Sequence, residues 1–195
     1  MDNRLEIICI YRSREGRETD YYFLSNNKYV MDLEDYKPGG FWQTGGGFMI
    51  TKNKYLTIFN STSFYNVVKA VSFLLHTLYW AKELTCNWFD ESEEYPGDVI
   101  VKTYTESEDT LRLSKYGADQ VSLSYFPAKP LTNNLRGNHY FSNEIFSLTE
   151  WVSAVNIALT EYFFMLNEVV ENAEKSDDTV PTMKAYQKVW TDIKD

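Results

Sequence analysis

Two cysteines and two histidines in 195 residues leave little material for metal, redox or thiol chemistry. Cys9 and Cys86 do not make the disulfide framework of a small secreted domain. Cys9 lies inside an apolar run and reads as a small buried hydrophobe. His76 and His139 have no second His or Cys at zinc-ligand spacing, so no metal and no cofactor is expected. No Gly-x-Ser-x-Gly elbow occurs. The most apolar stretch, 64–81, is broken by Asn66, Lys69 and His76, so no membrane span is expected. The start, Met1-Asp-Asn-Arg-Leu-Glu, lacks the basic region of a signal peptide, and a reduced, cytoplasmic chain is expected. Positive charge is also scarce. Lys and Arg number 19 against 28 Asp and Glu, a net charge of −9. That balance opposes binding to nucleic-acid phosphates or an anionic membrane surface; by itself it first fits a solvated acidic surface, and it would also suit encounter with a basic protein.

Apolar residues make up 44% of the chain, with 15 Tyr and 12 Phe. This supports a real core and one domain over 1–195, and the aromatic surplus suits strands and interfaces. The clearest stretch is 146–174. It opens on a capping box, Ser147-Leu-Thr-Glu150, with Phe146 and Trp151 placed as a hydrophobic staple. Leu148, Trp151, Val152, Val155, Leu159, Tyr162, Phe163, Leu166, Val169 and Val170 then recur every three or four residues, which predicts a long helix to about Glu174.

Strands are expected at Leu5–Tyr11, Asp20–Leu24, Lys28–Asp32, Phe48–Thr51 and Tyr55–Phe59, with Arg12–Thr19 as a turn and Gly45–Gly47 as a loop. Asn60–Ser63 offers helix caps, and Phe64, Val67, Val68, Val71, Leu74, Leu75 and Leu78 predict a helix to about Lys82. A meander follows: Val99–Tyr104, Thr110–Ser114 and Val121–Tyr125. The last two alternate apolar and polar, which predicts one wet face. Pro181 starts a short last helix bearing Met183, Tyr186, Val189, Trp190 and Ile193 on one side. The fold class is α+β: antiparallel sheets packed against two long amphipathic helices, plus a short C-terminal helix.

Candidate chemical motifs fail on spacing. Gly40-Phe-Trp-Gln-Thr-Gly45 has the phosphate-loop glycine spacing, but Gly46 and Gly47 stand where Lys and Ser or Thr belong. Asp90-Glu-Ser-Glu-Glu94, laid on the calcium-loop template, puts Tyr95 at the glycine position and Val101 at the final Glu. What remains is on the backs of the two long helices. Phe73 and Trp80 lie seven apart opposite the first core stripe, and Ile157 and Phe164 lie seven apart on the second, amid Glu150, Glu161, Glu168 and Glu171. A second apolar strip is either covered or binds something. Cover is the expectation for Phe73 and Trp80, with the last helix as candidate; a partner contact is the expectation for Ile157 and Phe164.

The acidic loop Asp90–Glu94 and the acidic back of the long helix, in a chain of this size and layout, resemble the immunity proteins that neutralise bacterial polymorphic or contact-dependent toxins. The resemblance implies a non-enzymatic, cytoplasmic protein-binding module that covers a basic toxin domain. No residue's role carries over by position. Asp90, Glu91, Glu93, Glu94, Ile157, Glu161, Phe164 and Glu168 are the expected partner contacts. The alternatives are a small-ligand protein or enzyme with a pocket between sheet and helices, and a structural homodimer.

Overall fold

A computed structural model describes residues 4–15, 18–24, 45–52, 56–64, 67–82, 101–104, 110–126, 144–170 and 179–195. The fold is α+β. The first sheet holds β1 (Leu5–Glu15), β2 (Glu18–Leu24), β3 (Gly45–Lys52) and β4 (Leu56–Phe64), ordered β2-β1-β3-β4 and antiparallel throughout. α1 (Val67–Ala81) follows. The second sheet is a meander of β5 (Val101–Tyr104), β6 (Thr110–Lys115), β7 (Gln120–Phe126) and β8 (Glu144–Ser147), in that spatial order. α2 (Leu148–Val170) leaves β8 directly, and α3 (Thr179–Ile193) comes last.

In β1 the pleat turns Leu5, Ile7 and Cys9 inward, in register with Lys52, Ile50 and Phe48 of β3. α2 lies over this face. Its small residues Ala154 and Ala158 are buried there, and the Cys9 thiol donates to the Ala158 carbonyl at 3.3 Å. Trp151, fully buried, donates its indole N–H to Thr77 Oγ1 of α1 at 3.1 Å, and Thr77 donates to the Leu74 carbonyl at 2.7 Å. Each buried polar group in that chain is therefore satisfied. Leu111, Leu113, Val121 and Leu123 of the second sheet join the same hydrophobic cluster.

Several local expectations give way to strand pairing. Arg12–Thr19 is not a free turn, because β1 runs to Glu15 and pairs there with Glu18. β2 pairs with β1, and Lys28–Asp32 lies outside the described residues. Gly45–Gly47 begins β3, opposite Arg12, Tyr11 and Ile10. The β3–β4 register shifts between Gly46 and Phe48, and the buried Tyr162 hydroxyl of α2 donates to the Gly47 carbonyl at that irregularity. Asn60–Ser63 does not cap α1. Asn60 and Ser61 pair with Met49 and Phe48 in β4, Phe64 closes that strand, and the helix begins at Val67.

β6 alternates as expected, but the second face of β7 is not wet. Ser122 and Ser124 are buried. Ser122 stands in register between Ser114 and Ile145, and Ser124 beside Arg112, on a strand flanked on both sides by β6 and β8. The pairing of α3 with the rest uses one face: Met183 and Trp190 are buried, and Trp190 packs on Phe163 with ring centroids 5.3 Å apart. Asn156 clasps it, accepting from Trp190 Nε1 at 3.0 Å and donating to the Lys194 carbonyl at 3.4 Å. The Lys82 ammonium donates to the Ile193 carbonyl, placing a cation where a helix end is negative.

Candidate functional site: the outward face of α2

α2 is fixed at its start by local chemistry. The Glu150 N–H donates to Ser147 Oγ at 3.1 Å, and the Ser147 N–H donates to Glu150 Oε2 at 3.2 Å, which closes the capping box. The Phe146 and Trp151 rings meet at 6.3 Å between centroids. The Leu148 N–H donates to the Asp119 carbonyl at 2.8 Å, tying the helix start to the β6–β7 turn. Gly117 supplies that turn with a φ of 74°, a conformation that a side chain would strain.

With its inner stripe spent on the core, α2 presents the opposite side to solvent. Ile157 is 42% exposed and Phe164 47%; with Tyr116 at 50% these are the exposed large apolar side chains among the described residues. Ser153, Thr160 and Asn167 are exposed on the same side, and Glu161 stands between Ile157 and Phe164, half-buried. α2 contains Glu150, Glu161 and Glu168 and no Lys or Arg. Of the expected contacts, the structure brings Ile157, Glu161 and Phe164 onto one helix side. Asp90, Glu91, Glu93 and Glu94 lie outside the described residues, as does the side chain of Glu168. Tyr116, at the tip of the β6–β7 hairpin, was not legible as exposed; its flanking turn, Lys115 to Asp119, was the available signal.

The titratable groups nearby are shaped by burial. Desolvation pushes the Cys9 thiol well above its usual range, the charge of Glu161 adds to this, and a hydrogen bond with Tyr162 opposes it. The thiol is thus held protonated, its unreactive form. Burial lowers His76 to about 4, so its imidazole is neutral at pH 7. Among the described residues no three His, Cys, Asp or Glu cluster as metal ligands, and no helix is long and apolar enough to cross a membrane. His139 and Cys86 lie outside those residues. Compared with protein-family models, characterised proteins and solved structures, the chain matches none.

Proposed function

We propose that this chain is a non-enzymatic binding module that docks a basic protein through the outward face of α2, in the manner of an immunity protein neutralising a bacterial toxin. The observation that carries the reading is the exposure of Ile157 and Phe164, two turns apart on a helix that bears three Glu and no basic residue. Apolar anchors inside a charged field are the usual anatomy of an interface, with the anchors supplying affinity and the charges steering. The net charge of −9 extends the same field over the whole chain.

The test is co-expression with the C-terminal domain of the protein encoded beside this one, followed by binding kinetics. Relief of that domain's toxicity and direct association are expected. Raising salt should slow association, because exposed charges are screened. Phe164→Ala should speed dissociation, with a loss of about 1–2 kcal/mol or more. A variant that binds as tightly as the parent sinks the reading.

A further inference from the structure

The exposed residues of α2 have a period of their own. Ser153, Ile157, Thr160, Phe164 and Asn167 are separated by four, three, four and three residues, and all five are exposed. That is the spacing of a heptad seam. Counted with Ile157 and Phe164 at a, the d positions are Ser153, Thr160 and Asn167, and Glu161 and Glu168 fall at e. Large apolar groups therefore alternate with small ones along a straight line. A second helix crossing at a shallow angle can seat bulky side chains in the gaps over Ser153 and Thr160.

The polar group at the centre of the seam is already satisfied. Thr160 Oγ1 donates to the Asn156 carbonyl at 2.7 Å, so its methyl can be covered without stranding a hydroxyl. Glu161 and Glu168 flank one side by register, and charge complementarity selects a cationic occupant. A second copy of this chain fits poorly. It would bring a net charge of −9 and the same acidic flank to the seam.

We infer that the outward face of α2 is a helix-docking seam, and that the partner fills it with an amphipathic helix carrying Lys or Arg beside its apolar stripe. This rests on the protein-binding reading above and adds the recognition mode to it.

The probe is a synthetic three-heptad peptide with Leu at a and d and Lys at e and g, where like charges keep it from pairing with itself. A companion carries Glu at e and g. Each is titrated against the full chain by fluorescence anisotropy, alongside Thr160→Arg and Phe164→Asp, with circular dichroism confirming that both variants fold. Thr160→Arg fills the central gap with a cation, so it remains informative even if Phe164→Asp unfolds. The Lys peptide should bind, the Glu peptide should not, and each variant should weaken the Lys peptide about tenfold or more. Lys-peptide binding that ignores both variants is charge attraction elsewhere and overturns the seam. No binding at all overturns the helical mode, while the protein-binding reading survives if the neighbouring domain still depends on Phe164. Self-association of the chain that Phe164→Asp abolishes assigns the face to a second copy and overturns the inference as well.

Discussion

α1 and α2 carry the same outer pattern. Lys69, Phe73, His76 and Trp80 on one match Ser153, Ile157, Thr160 and Phe164 on the other, each at intervals of four, three and four. Their fates differ. No residue of 67–82 is exposed; Phe73 is 3% exposed and stacks on Phe48 of β3 at 5.9 Å between centroids, and Trp80 is half-buried. The four α2 positions are all exposed. α1 packs against β3, β4, β5, α2 and α3, and α2 against β1, α1, α3, β7 and β8, yet α2's neighbours leave the side carrying Ile157 and Phe164 to solvent. A second apolar strip thus has no fixed meaning by itself. Its role depends on which sides of the helix the topology's neighbours occupy.

The comparison breaks most readily at its aromatic ends. Phe73→Ala should cost about 3–5 kcal/mol of stability in chemical denaturation, the range for a buried ring. Phe164→Ala should stay within about 0.5 kcal/mol. Equal losses would mean that the two strips are alike. Within α2, the inward Leu159→Ala should cost about 2–5 kcal/mol, while outward Ile157→Ala resembles a surface change; a small loss at Leu159 would remove the core face assigned to it.

Smaller effects sharpen the contrast between inward and outward polar groups. Tyr162→Phe deletes the hydroxyl that serves the buried Gly47 carbonyl, and a loss of about 1–3 kcal/mol is expected. Thr160→Val on the outer side, where the hydroxyl only back-bonds within its own helix, should change stability far less. His76 gives a signal of definite sign. Its folded value of about 4 lies below the ordinary 6.5, so the unfolded chain binds the extra proton first. Its contribution is full above pH 6.5, falls as pH drops, and is lost once pH passes below about 4. The stability difference between wild type and His76→Gln, measured at pH 7 and pH 5, should shift against the wild type at pH 5; no shift would place His76 in water.

What was legible in the sequence was what neighbours in the chain decide. The capping box from Ser147 to Glu150, the staple of Phe146 on Trp151 and the inner stripe of α2 are all local, and each is present. What was not legible depends on distant strands. Gly45–Gly47 looks like a breaker, yet pairing with Arg12, Tyr11 and Ile10 holds it extended. Asn60–Ser63 looks like a cap, yet Met49 and Phe48 claim Asn60 and Ser61 for β4. The second strips were both visible at seven-residue spacing. Cover was expected for Phe73, and the ring stacked on it is Phe48, a residue 25 positions earlier in the chain, while the last helix also packs against α1. The acidic loop at 90–94 had no local periodicity from which its geometry follows.

β1 is the first strand in the chain and an inner strand of its sheet, and Cys9 meets Ala158 across 149 residues. As the chain leaves the ribosome, β2 and β3 become available to β1 early, but the helix that seals its inward face is made late. Until then Leu5, Ile7 and Cys9 have a sheet without a lid. Loop closure over such a distance is slow compared with helix formation, and exposed apolar sheet is the surface on which nascent chains stick to one another. The long-range seal of α2 on β1 therefore sets the interval during synthesis when the chain most needs a chaperone, and a fragment that stops at 147 would never leave that interval.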